Sequence, residues 1–382
     1  MKISNILLGL SAIAFLGISC SSSDDPEPTP TPPATGDIQL VPSTNFIQAD
    51  GTDAATLTVW LDGADITSQA SIYLESAPET PLTSASFTAT QTGDYVLYAS
   101  KDAKISEKIT IRAVTEIPAL PADAQPDKYN GFKRRILAID HTGTGCGYCP
   151  FVIGALGEIE QSDYADKVVF VAGHSYNSSD PMYTIEAQYL AQAMGVTGYP
   201  WVSYDLRKNV KTSNTGSIQG NATQMKTYID NELEDAEAVA GLSVATKKVG
   251  NEIIVTIGAK VGKDARYKVG AWLLESGIKA AQVNNGAPGD YGTHDHALRT
   301  GNIKSTNDVM GQYLALSGEF KAGNTLKHVI SLPLKDTYVT DNMTVVVMIN
   351  TPDVEGSAKF YTNNVVSCPV GETVAFLSLI HI

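Results

Sequence analysis

The chain has 382 residues, with 27 Lys and Arg against 41 Asp and Glu and a formal net charge of −14 at pH 7. That balance leaves no basic stripe to neutralise phosphates, so nucleic acid and anionic lipid headgroups are excluded as charge-matched partners. An apolar fraction of 43% over this length is enough for two or three separate cores.

The opening segment, MKISNILLGLSAIAFLGISC, has one basic residue, Lys2, and an apolar run from Ile6 to Ile18 that stops at Ser19 and Cys20. The run is too short for a membrane-crossing helix, which needs roughly 20 apolar residues, and predicts a secretion signal. An apolar stretch ending at a cysteine and followed by SSSDDPEPTPTPP resembles a bacterial lipoprotein signal. That resemblance implies a signal segment over 1–20 that is cut just before Cys20, with Cys20 lipidated as the first mature residue. Asp24 and Asp25 resemble a surface-export signal of lipoproteins in anaerobic Gram-negative bacteria. Residues 21–36 are rich in Ser, Thr and Pro with almost no apolar side chain, and predict an extended tether.

Across 37–114 the chain alternates apolar and polar residues in short runs such as TLTVWLDG and DYVLYAS, separated by turn residues, as an antiparallel sandwich does. The stretch IQADGTDAATLTVWLDGADIT resembles the opening strands of bacterial immunoglobulin-like modules, with Gly93, Asp94 and Tyr95 at a tyrosine-corner position. A spacer role is expected. Residues 115–129, containing EIPALPADAQPD, predict a linker.

Over 130–238 the rhythm changes to strand and helix in alternation: RRILAID, FVIGALGEIEQS, KVVFVAGHS, IEAQYLAQAM, YPWVSYD and ATQMKTYIDNELEDA. This predicts an α/β layer with a partly parallel sheet. From 239 to 382, runs such as EIIVTIGAKV, YKVGAWLLE, LKHVISLPL and MTVVVMINT return to β alternation and predict a C-terminal β-sandwich. The expected fold class is thus multidomain α/β plus all-β.

Between the strand RRILAID and the helix beginning near Pro150 lies GTGCGYCPFV, with Cys146 and Cys149 two residues apart. At a helix N-terminus, unpaired N–H groups and the helix dipole favour negative charge on the first sulfur, and a thiolate is the attacking species in disulfide exchange. Pro150 is compatible with the first helical turn, where its missing N–H has no carbonyl partner anyway. Structural zinc requires four ligands, and the sequence offers no second pair at suitable spacing. A structural staple remains open, although so short a loop removes little chain entropy from the unfolded state.

CGYC after a strand, followed by VTGYPWVSYD, resembles a thioredoxin-like domain. The resemblance implies that Cys146 attacks, Cys149 resolves, Asp140 moves the proton of the resolving thiol, and Pro200, after Tyr199, is the cis-proline facing the dithiol. Tyr148 and Tyr199 are the implied substrate contacts. Thioredoxins usually carry Trp before the first cysteine; Gly145 stands there and predicts a more open dithiol. The signal, HTGTGCGYCP, the Pro200 loop and a β region carrying HDHALR together resemble the outer-membrane lipoprotein family related to the 28-kDa outer-membrane protein. This resemblance implies a thioredoxin-like core and an envelope location.

His294 and His296, with Asp290 or Asp295, have strand spacing that suits one metal-binding face; bracing of a loop is the expected role, and no metal is predicted. Cys368 is expected as a buried free thiol, and His174 as a strand-end residue near the dithiol. Two functions follow: thiol–disulfide exchange on exported proteins bearing thiols or disulfides, without a cofactor, or a surface binding or adhesion lipoprotein that uses the fold as scaffold. The membrane is a partner through the lipid anchor, and no motif encodes an oligomeric state.

Overall fold

The structure, a computed structural model, describes residues 37–208, 210–314, 319–354 and 359–378. The signal at 1–20, the tether at 21–36 and Cys20 lie outside the described residues. The described chain is mostly β-strand in several sheets, with three α-helices among the described residues. Among those residues no helix is long and apolar enough to cross a membrane.

Residues 38–114 fold around their own core, in which Leu57, Val59, Leu97 and Ile111 are buried between two small sheets. The apolar alternation in Ala55–Leu61 sends every second side chain inward, as the pleat requires. The expectation of a purely antiparallel arrangement needs one correction: Phe46–Gln48 runs parallel to Ile109–Val114. The first stretch of chain switches sheets, since Ile38–Pro42 pairs antiparallel with Ala55–Leu61 before the chain crosses over. Tyr95 donates its hydroxyl hydrogen to the Gln91 carbonyl at 2.9 Å.

The expected linker is fastened down. The Lys260 ammonium, itself buried, donates to Asp123 Oδ2 at 2.7 Å and to the carbonyls of Gln125 and Pro126 at 2.6 and 3.0 Å. A buried ammonium needs such partners because leaving water without them costs several kcal/mol.

The rest of the chain is organised by one large sheet, in the order Lys211–Thr212, Trp201–Tyr204, Ile136–Thr142, Val168–His174, Ala297–Gly301, Lys268–Glu275, Met343–Pro352, Phe360–Pro369. Ile136–Thr142 and Val168–His174 are parallel neighbours, and Trp201–Tyr204 lies antiparallel beside the first. Helix α1 (Pro150–Glu160) and helix α3 (Ile218–Asp235) cover one face of this half, burying Val152, Ala155, Ile159, Ala222, Met225 and Ile229 against Ile136, Ala138 and Phe170. Helix α2 (Ile185–Ala193) covers the opposite face through Ala187 and Leu190. It begins where Thr184 accepts a hydrogen bond from the Ala187 N–H at 3.1 Å, which satisfies one orphan donor of the first turn. Ser217 caps α3 in the same way through the Gly220 N–H.

Beyond Val168–His174 the face that carries α1 and α3 is covered instead by a second sheet, Asn324–Pro333, Glu252–Val261, Ala240–Val249 and Thr373–Val374. Val269, Ala271 and Leu273 point into this sandwich, while Trp272 and Leu274 point to the α2 side. With both faces covered, Lys268–Glu275 is buried along its whole length. The division expected at 238/239 is therefore not a division between sheets. Ala172 donates its N–H to the His296 carbonyl at 2.8 Å and pairs with Ala297, which satisfies the edge that Val168–His174 would otherwise expose.

Candidate functional site

Strand Ile136–Thr142 delivers the chain to a tight loop, 143–149, which feeds directly into α1. Cys149 is the residue capping α1, and Pro150 occupies its first turn. Cys146 and Cys149 form a disulfide with Cα atoms 5.5 Å apart. The Cys146 N–H donates to the Gly143 carbonyl at 3.0 Å, and the Cys149 carbonyl accepts from Val152 and Ile153 at 2.9 and 3.0 Å. The pair is thus fixed by its own turn and by the first turn of the helix.

The expectation of an open dithiol is overturned: Cys146 is 3% exposed and Cys149 0%. Neighbouring segments fill the space that a side chain before Cys146 would occupy. A Cβ on Gly145 would stand 2.8 Å from Asn177 Nδ2 and 3.1 Å from Tyr176 Cε1, while one on Gly147 would stand 2.4 Å from Asn285 Nδ2. A side chain at either position would have to displace these neighbouring side chains, which supply the cover that the two glycines lack. Only Tyr148, 55% exposed, projects from the CGYC turn.

Tyr148 lines a groove of about 320 Å³ together with Tyr199, Pro200, Trp201 and Lys211. The Tyr199–Pro200 peptide is cis. Tyr199 donates its hydroxyl hydrogen to the Ser175 carbonyl at 3.0 Å and packs edge-on against Tyr176, so the Pro200 loop is held from behind. Neither cysteine lines the groove.

Asp140 lies on the strand that enters the site, 2% exposed, and its Oδ1 has no hydrogen-bond partner. Burial pushes its carboxyl up to about 7, because the charged form is poorly solvated there. His141 beside it is fully buried and bonded through Nε2 to Ser203 Oγ at 2.9 Å; burial brings its pKa down to about 3.

On the other side, the Asp180 carboxylate accepts from the Thr144 N–H and sits 3.0 Å from His174 Nδ1. Burial alone would raise the Asp180 pKa, but His174 and the N–H groups of Thr144 and Met182 hold it well below the usual carboxylate range. His174, the strand-end residue singled out in the sequence, therefore acts on the CGYC loop through Asp180. Its ring meets that of His294 edge-on at 5.4 Å, and His294 Nε2 lies 3.2 Å from the Ala280 carbonyl.

His294 and His296 do not share a metal-binding face. His294 turns inward to His174, whereas His296, in a left-handed backbone conformation, places Nε2 2.6 Å from Glu160 at the end of α1. Among the described residues no group of three His, Cys, Asp or Glu is placed to hold a metal ion. Cys368 is buried in the sandwich core, away from the CGYC turn, and burial pushes its thiol up to about 11.

The sequence reading missed the segment covering the disulfide. Val283 and Asn285 donate their N–H groups to the carbonyls of Thr144 and Gly147, both at 2.8 Å, and Gln282 Nε2 donates to Cys146 O at 2.9 Å. A signal for it existed: AAQVNNGAPGDYGTHDH is a long Gly- and Asn-rich excursion between two strands, and such excursions carry function more often than connections of ordinary length.

Residues 187–374 match the family described as outer membrane protein Omp28. The matched segment takes in the Pro200 loop, the covering excursion and His294, and begins after the CGYC turn. Among solved structures, the chain is similar to HBP35 of Porphyromonas gingivalis, at 19% identity over 66% of this chain and 80% of that one, with a TM-score of 0.48. It is also similar to a domain of the outer membrane lipoprotein Omp28 from Porphyromonas gingivalis, at 15% identity over 35% of this chain and 89% of that one, with a TM-score of 0.22. No curated protein matches it. Over residues 187–374, just under half of the chain, the sequence thus carries the pattern of the Omp28 outer membrane protein family, and this match supports a place in the outer membrane of the cell envelope.

Proposed function

We propose that the chain is a lipid-anchored envelope protein whose segment 130–238 is thioredoxin-like and exchanges disulfides with exported proteins. The observation that carries this reading is the Cys146–Cys149 disulfide at the head of α1, next to a groove lined by Tyr148, Tyr199 and Pro200. In the reducing direction, the Cys146 thiolate attacks a client disulfide and expels one client sulfur as a thiolate. Cys149 then attacks the mixed disulfide, releasing the second client sulfur and restoring the Cys146–Cys149 bond. Asp140, with its carboxyl near neutrality, accepts the proton of the Cys149 thiol. The Pro200 loop and the two tyrosines hold the extended client backbone. The electrons reside in the dithiol, so the scheme uses no cofactor. In the same proposal Cys20 carries the lipid, residues 37–114 form an immunoglobulin-like spacer, and the β-sandwich of the C-terminal half frames the site.

The test is reduction of insulin by the mature chain with dithiothreitol as electron source. Turbidity from precipitating insulin B chain should develop faster than with dithiothreitol alone, and Cys146→Ser should lose the acceleration. Equal rates for wild type and variant would leave the rival reading, a binding or adhesion lipoprotein built on the same scaffold.

A further inference from the structure

We propose that the hairpin 276–296 is a gate over the Cys146–Cys149 disulfide, and that exchange at the dithiol proceeds only from a state in which this hairpin has lifted. The proposal rests on the thiol–disulfide reading for its purpose, but it is a statement about access and stands or falls separately.

The hairpin leaves the large sheet after Lys268–Glu275 and returns at Ala297–Gly301. Its stem is the antiparallel pair Ile278–Lys279 and Thr293–His294. Its tip runs along the CGYC turn. The Val283 and Asn285 N–H groups occupy the carbonyls of Thr144 and Gly147, and Gln282 bridges those of Gly143 and Cys146 at 3.2 and 2.9 Å. Asn285 fills the space above Gly147, and Tyr291 Oη fills that beside Gly154 of α1, where a Cβ would meet each within 2.7 Å.

Four consequences point the same way. Both cysteines are buried, although the neighbouring groove is open and neither sulfur reaches it. The contacts that close the hairpin are hydrogen bonds from a Gly- and Asn-rich tip, with little apolar surface to hold it down; elements held in this way open locally at low free energy. The stem is braced from below by His294 on His174 and the Ala280 carbonyl, so the tip moves on a fixed base. Finally, the backbone groups that the hairpin occupies belong to the redox turn itself, so closure masks the turn directly.

Dithiothreitol is the probe. Its thiolate forms a bond to Cys146 Sγ, the Cys146–Cys149 bond breaks, and the electron pair remains on Cys149 Sγ, which takes a proton. The second dithiothreitol thiol then displaces Cys146, closing the oxidised ring and leaving the protein dithiol. Two electrons pass from reagent to protein.

The reduction rate is measured on the mature chain by quenched alkylation and mass spectrometry. Two variants are compared with wild type: Gln282→Ala, which removes the side-chain bridge, and a chain in which 282–288 is replaced by two glycines, which shortens the tip above an intact stem. Removing the bridge should accelerate reduction roughly tenfold, the factor corresponding to about 1.4 kcal/mol of lost closing contacts. The shortened tip should accelerate it further, with the far-UV circular dichroism of both variants unchanged. A wild-type rate in either folded variant overturns the gate. Acceleration without insulin reduction by any of the three proteins would keep the gate and remove the exchange reading.

Discussion

Asp140 provides the most quantitative test of the site. Its carboxyl is 2% exposed, one of its oxygens has no hydrogen-bond partner, and burial raises its pKa from 3.8 to about 7. The folded state therefore binds a proton that the unfolded chain releases between those two values. Because the folded pKa lies above the unfolded one, the cost of burying the charge is absent below pH 3.8, grows as pH rises, and is complete above about pH 7. At roughly 1.36 kcal/mol for each pH unit of the gap, the full cost is about 4 kcal/mol. Asp140→Asn keeps the shape and removes the titration, so the stability difference between variant and wild type should move in favour of the variant by about that amount from pH 4 to pH 8. Its slope should be steepest between pH 4.5 and 7 and flat beyond. Urea unfolding of the oxidised proteins at a series of pH values, followed by the fluorescence of Trp201 and Trp272, measures it. A difference that stays constant within ~1 kcal/mol across the range would mean that Asp140 is solvated or paired, and would remove it as a proton acceptor tuned to neutrality.

The remaining predictions concern other parts of the chain. Cys149→Ser should accumulate reductant-sensitive covalent adducts with envelope proteins, and Cys146→Ser far fewer, on non-reducing gels; equal yields would contradict the assigned order of attack. Arg134 donates to Asp205 at 2.9 Å with both side chains buried. Arg134→Ala leaves that carboxylate without its cation and should destabilise by about 3–5 kcal/mol in denaturant titrations, with a loss below 1 kcal/mol counting against the pair. Cys20→Ala should abolish metabolic labelling with palmitate; retained labelling would sink the lipid anchor, which depends on more than one acyl chain for stable attachment.

Local chemistry made much of this protein legible in the sequence. The three helices begin and end within a few residues of the positions that apolar periodicity suggested, because Thr184 and Ser217 cap their own helices and Pro150 suits a first turn. The strands of the C-terminal half were equally plain in runs such as MTVVVMINT. The two cysteines stood out by their spacing, and the Pro200 loop through the resemblance of CGYC and VTGYPWVSYD to a thioredoxin-like domain, since both are short segments whose residues act close to their own backbone. Tertiary structure decided what packs over them. That one sheet joins Val168–His174 to Ala297–Gly301 depends on an edge pairing between segments more than a hundred residues apart, which no local periodicity encodes. Gly145 suggested an exposed dithiol when read by itself, because a missing side chain looks like missing cover. Tyr176, Asn177 and the tip of a distant hairpin supply that cover through space, and burial is a property of the assembled neighbours, not of the residue they bury. The same holds for Asp140: the sequence could place a carboxylate before the turn, but its shift to about 7 follows from the removal of water on all sides, which only the packed sheet and helices bring about.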